Sequence, residues 1–162
     1  MNTATEFFDA CRRNDLSTVQ ALYRQDPSLI EIADARGFTP LILAVYNEAP
    51  EVVAFLIAHG ADLHAQDASG NTALMGVCFK GYQRIAQQLL NAGADVNQRN
   101  ANGATALTFA ATFGHLQLAE WLLQRGADLG LRDSRGKSPL DHAYIQENDA
   151  MIALLEQYHR GK

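Results

Sequence analysis

Apolar positions along the chain form short helical patches that return every 33 residues, separated by glycine- and asparagine-rich punctuation. The unit that begins at Asn100 shows the pattern most plainly. Leu107, Ala110 and Ala111 recur at helical spacing, and the alanines are small enough to let neighbouring helices approach. Gly114 is placed to end that helix in the left-handed conformation that glycine takes without strain. A second helix is expected from about His115 to Gln124, with Leu118, Leu122 and Leu123 on its apolar face. Gly126 closes it, and Ala127-Asp128-Leu129 leads out toward the next turn. Upstream, Asn100-Ala-Asn102-Gly103 reads as a turn in which glycine permits positive φ. Thr105 follows where its oxygen can accept a bond from an orphan N–H of the first helical turn. The expected unit is helix, turn, helix, then an extended, hairpin-like loop.

Whole phrases repeat with this unit. Gly37, Gly70, Gly103 and Gly136 lie 33 residues apart, within Asp34-Ala-Arg-Gly37-Phe-Thr39-Pro40-Leu41 and its three counterparts from Asp67, Asn100 and Asp133. Gly60-Ala-Asp62-Leu63, Gly93-Ala-Asp95-Val96 and Gly126-Ala-Asp128-Leu129 keep the same period. A fixed period of this length marks a stack of supersecondary units, none of which buries its apolar face alone. Pro40, Pro50 and Pro139 each take a first helical position, where a missing N–H costs nothing. Glu48 stands where later units have Gly81 and Gly114. Residues from about 3 to 33 form an imperfect first unit, with an extra residue in Asp26-Pro27-Ser28 and Ser17 expected to cap, Gln20 lying three residues on. The last unit loses the Gly-Ala-Asp phrase after Leu154-Leu155. Polar outer faces on such terminal units are what a soluble stack needs. The expectation is one domain over 1–162: a capping unit at about 3–33, full units at 34–66, 67–99 and 100–132, and a capping unit at 133–162.

The Asp-x-x-Gly-x-Thr-Pro-Leu-x-x-Ala phrase, the Gly114-His115 pair and the Leu-Leu-x-x-Gly-Ala-Asp-Val-Asn phrase from Leu89 to Asn97 resemble ankyrin repeats, over nearly the whole chain. The resemblance implies an all-α, L-shaped ankyrin-repeat solenoid, with projecting loop tips and first helices lining a concave face. Thr39-Pro-Leu-Ile-Leu-Ala44 and Gly70-Asn-Thr-Ala-Leu-Met75 look most like small bacterial members. The family commonly has histidine after Thr-Pro-Leu, tying neighbouring loops; Ile42, Met75, Thr108 and Asp141 stand there instead, so that network is expected to be absent or replaced. Gly76 falls inside a first helix at a cost of about 1 kcal/mol relative to alanine, which marks its unit as a soft point. Asn97 resembles ankyrin asparagines that a hydroxylase modifies in animals, although a loop-stabilising role is the favoured reading.

Composition narrows the function. At 48% apolar, the chain has enough hydrophobic content to fill one elongated core. A net charge of −5 argues against nucleic acid, whose phosphates need a basic footprint. Val52 to Ala58, the longest apolar stretch, is too short to cross a membrane, and the N-terminus does not read as a secretory signal. Two cysteines without paired spacing fit a cytoplasmic setting. Gly136-Lys137-Ser138 imitates the tail of a phosphate loop, yet Leu131 occupies the position where that loop needs glycine, and the string matches the turn at Gly37-Phe-Thr39. His59, His64, His115, His142 and His159 include no helical i, i+4 metal pair, and Asp141-His142 has no nameable nucleophile. Cys11 and Cys78 read as small packing residues. No enzyme, cofactor or metal is expected.

By resemblance, recognition uses the loop tips and the exposed row of the first helices. Carried over by register, the candidate partner-binding residues are Arg36, Phe38, Asn71, Asn102, Arg135 and Lys137 at the tips, with Tyr46, Phe79, Lys80, Thr112, Phe113 and Ile145 on the helices. Phe38, Tyr46, Phe79 and Phe113 are large aromatics at positions that folding does not require to be apolar, and aromatics and arginine are the usual interface anchors. Tyr46→Ala with Phe79→Ala is therefore expected to abolish capture and leave thermal unfolding little changed. The expected function is a non-enzymatic protein–protein interaction module (adaptor, inhibitor or chaperone-like partner), monomeric, with another protein as partner and no nucleic acid or membrane. The alternative is an accessory protein of an enzyme or redox system.

Overall fold

The computed structural model describes residues 2–161. Among them are ten α-helices, one short 3-10 helix (Pro27–Glu31) and no strand. The helices alternate between two layers. The inner layer is α1 (Thr3–Arg12), α3 (Pro40–Tyr46), α5 (Ala73–Lys80), α7 (Ala106–Phe113) and α9 (Pro139–Ile145). Outside them lie α2 (Leu16–Gln25), α4 (Pro50–Ala58), α6 (Gln83–Asn91), α8 (Leu116–Gln124) and α10 (Asp149–Arg160). Each inner helix packs on its outer partner and on the next inner helix, so the core is a continuous seam and the molecule a helical-repeat solenoid.

Local chemistry sets the helix boundaries. Thr39, Thr72, Thr105 and Ser138 cap α3, α5, α7 and α9, each side-chain oxygen accepting from the amide three residues on. Residues in the place of the family histidine return the bond: Thr108 Oγ1 accepts from the Thr105 amide at 3.0 Å, and Asp141 Oδ2 from the Ser138 amide at 2.9 Å. Left-handed Gly81 and Gly114 end α5 and α7. One cap differs from expectation. Ser17 lies inside the first turn of α2; Asp15 is the N-cap, its carboxylate accepting from the Thr18 amide at 3.3 Å and hydroxyl at 2.7 Å. The N-terminus of α4 has only Ala49 in the cap position, and the deficit is met from the neighbouring helix pair. Asn14 Oδ1 accepts from the Val52 amide at 3.1 Å while its amide donates to Glu51 Oε2 at 2.6 Å.

Consecutive loop tips are joined through backbone. The amides of Ala68, Ala101 and Ser134 donate to the carbonyls of Arg36, Ser69 and Asn102 at 2.9, 3.1 and 2.8 Å. This close approach explains Gly70: its φ is +79°, and a Cβ there would sit 2.6 Å from the Ala101 amide nitrogen. Long side chains add a second ladder. Gln66 donates to the carbonyls of Gly70 and Arg99, Arg99 to those of Gly103 and Arg132, and Arg132 to that of Gly136 and to Asp141. The network expected to be absent or replaced is thus replaced. Its N-terminal counterpart position holds Ala33, which carries no polar atom to extend it.

At the last unit, Tyr144 occupies the register of Val45, Cys78 and Ala111, which are fully buried between inner helices. With no further inner helix packed beyond α9 among the described residues, Tyr144 is 54% exposed, and its hydroxyl donates to Glu156 at 2.5 Å. Glu156 also pairs with Arg160. Polar groups therefore cover this end of the stack.

Candidate functional site

Four turns built alike carry the tips. Asp34, Asp67, Asn100 and Asp133 each use one side-chain oxygen to accept from the amides two and four residues on, at 2.9–3.0 Å. The tip acids are thereby engaged by backbone, and the intervening Arg36, Arg135 and Lys137 are left exposed. Asp133 does more. Its second oxygen meets His142 Nε2 at 2.7 Å. Burial raises its carboxyl pKa, yet the Lys137 and Arg135 amides and His142 together hold it below the usual value.

The aromatic row divides in two. Tyr46 is half-buried, because its ring lies over Gly76 of the next inner helix, where a Cβ would come within 3.1 Å of it. Burial, followed by the nearby Asp67 carboxylate, pushes its phenol above the ordinary value. Two expectations gain detail: Gly76, whatever its helix cost, makes room for a ring, and removing Tyr46 takes packing as well as surface. Phe38 is also half-buried, against Tyr46 at 5.9 Å between ring centroids, with the Arg36 guanidinium 4.6 Å from its centroid.

Phe79 and Phe113 behave differently. They are 41% and 48% exposed and meet edge to face at 4.8 Å. Beside Phe113 opens a groove of about 320 Å³, lined by Asn102, Phe109, Thr112, Arg135 and His142 among others. Thr112 lines it with its hydroxyl already donating to the Thr108 carbonyl, and Lys80 stands 6.0 Å from the Phe79 ring. Asn71 lies apart from the groove, accepting from Asn100 at 2.8 Å. Ile145, 57% exposed, also lies outside the groove's lining. The groove thus unites Asn102, Thr112, Phe113 and Arg135 of the candidate set, and adds Phe109 and His142, which register alone could have found as the counterparts of Gly76.

Other candidates have structural partners. His115 Nε2 meets the Phe79 carbonyl at 3.0 Å, at the end of α5. His59 stacks on Phe55 at 4.0 Å, and His64 Nε2 accepts from the Asp95 amide. Asn97 bridges two loops, donating to the Gly126 carbonyl and accepting from the Asp128 amide. Cys11 and Cys78 are buried; burial pushes the first thiol up to about 12 and the second higher still.

An open stack of helix pairs with an aromatic inner face defines a repeat protein of the surface-binding class. A family model described as ankyrin repeats in three copies matches residues 7–100 and again 74–161, and the chain belongs to the ankyrin-repeat family. It is similar to ankyrin repeat domain-containing protein 49 of Bos taurus, 45% identical over 56 residues. That segment is 35% of this chain and 24% of the bovine protein. Ankyrin repeats are generally protein–protein interaction modules and are typically non-enzymatic. Among the described residues, no helix is long and apolar enough to cross a membrane.

Proposed function

We propose that this chain is a non-enzymatic, monomeric capture module of five units that binds another protein, in the cytoplasm, as an adaptor, inhibitor or chaperone-like partner. The observation that carries the reading is the exposed Phe79–Phe113 pair beside the groove. Two adjacent rings held edge to face on rigid helices present apolar area at little cost in conformational freedom. Neither ring supports the core in the way Leu107 or Leu118 does, since those are fully buried. The proposed contact set centres on Phe79, Phe113, Thr112 and Asn102, with Lys80, Arg135 and Lys137 around it and Arg36, Phe38, Tyr46, Asn71 and Ile145 at the periphery. Affinity capture from the native cell, followed by mass spectrometry, tests this. Phe79→Ala with Phe113→Ala is expected to lose the specific partner while the melting temperature stays within a few degrees of the parent. Retention of the same partner set by the folded double variant overturns the site.

A further inference from the structure

We propose, building on the groove reading above, that the occupant is an acidic peptide segment of the partner with one aromatic or aliphatic anchor. Charge complementarity carries the assignment. Among the described residues, Lys80, Arg135, Lys137 and Arg36 have no carboxylate within ion-pair distance. The acids at the tips are turned to the backbone: one oxygen of Asp34 and of Asp67 accepts two amides, and Asp133 holds two amides with one oxygen and His142 with the other. Several arginines elsewhere are answered by carboxylates, Arg84 by Glu51, Arg132 by Asp141 and Arg160 by Glu156, while Arg99 and Arg125 spend their donors on backbone carbonyls and on Asn91. A protein of net charge −5 therefore keeps unanswered cations on its binding side.

Contacts order the site. Lys80 lies by Phe79, Phe79 meets Phe113, Phe113 lines the groove, and Arg135 lines it too. Cations flank an apolar centre, so the matching segment carries Asp or Glu on both sides of a Phe, Leu or similar residue. The anchor displaces water from Phe109 and Phe113, and carboxylates pair with Lys80 and Arg135. Arg135, with its planar fork, can hold one bidentately. A nucleic acid fits less well, because the Phe79 and Phe113 rings, packed edge to face, do not form a shared flat platform for stacked bases.

The test selects random ten-residue displayed peptides on the intact chain and measures the winners by fluorescence anisotropy. Enrichment of acidic residues around a single apolar anchor is expected. Lys80→Glu with Arg135→Glu, both at exposed positions, is expected to weaken these peptides at least tenfold. Raising salt from about 0.05 to about 0.3 M is expected to act in the same direction. Neutral or basic winners that Phe79→Ala with Phe113→Ala abolishes overturn the acidic assignment and leave the groove reading standing. Acidic winners indifferent to both double variants overturn both. A single-stranded oligonucleotide of ten nucleotides that binds as tightly overturns the peptide assignment, and so does a selection with no enrichment.

Discussion

Tyr46 and Phe79 hold the same place in successive inner helices, 33 residues apart, and their rings take different positions. Tyr46 lies down on Gly76, half-buried. On the helix after Phe79, Phe109 stands at the register of Gly76, and Phe79 stays 41% exposed against Phe113. A single position on the following helix thus decides whether an aromatic becomes packing or surface. In a repeat protein the neighbour sets the role of a residue as much as the residue does. The helix cost of Gly76, about 1 kcal/mol, is the cost of that choice.

Exchanging these neighbours breaks the comparison most forcefully. Phe109→Gly removes a half-buried ring and puts a poorer helix former in its place, and is expected to destabilise by about 3 kcal/mol or more in urea titration. Phe79 is then expected to fold inward, with partner capture lost. Tyr46→Ala comes next: about 2 kcal/mol of stability, against about 0.5 kcal/mol or less for Phe79→Ala in the same titration. Equal costs at the two sites remove the distinction. Gly76→Ala has a smaller net effect, within about 1 kcal/mol, because the gain in helix propensity offsets the displaced ring. Its clearer signature is optical. As Tyr46 is pushed out, its phenol is expected to titrate at lower pH than in the parent, nearer the ordinary tyrosine value of about 10, followed by ultraviolet absorbance.

Acid gives the mildest contrast, between the last helix pair and the middle of the stack. Asp141 is held below the usual carboxylate range first by the Ser138 amide, and Glu156 first by the Tyr144 hydroxyl. Asp133 is also lowered, for the reasons given. A depressed carboxyl contributes stability above its unfolded value, near 4, and loses it as pH falls through the lower folded value. Hydrogen exchange is therefore expected to show α9 and α10 opening below about pH 4 before the core helix α7 does. Opening of α7 first contradicts this.

The architecture was legible because each helix boundary rests on a local signal. Thr105 and Gly114 needed no tertiary knowledge, and Pro40 and Pro139 began their helices as placed. Ser17 misled because an Asp two residues earlier offers a stronger acceptor. The groove was half legible. Register put Phe79 and Phe113 on the inner helices where the structure leaves them exposed, but periodicity identifies a face without saying which side chain the next helix covers. The Gln66, Arg99 and Arg132 ladder was missed although its residues also repeat at 33, since a glutamine and two arginines share a reach rather than an identity.

That ladder bears on how the molecule yields to a pull. From Gln66 onward each tip is riveted to the next by side chain as well as backbone. Between the first two tips, where Ala33 breaks the series, the Arg36–Ala68 backbone bond carries the tip connection without a side-chain rivet. Tension applied along the tips, by a partner or by a tethered neighbour, would concentrate at that joint. The chain is then a stiff rod with one compliant end, and α1 to α4 are the first to swing.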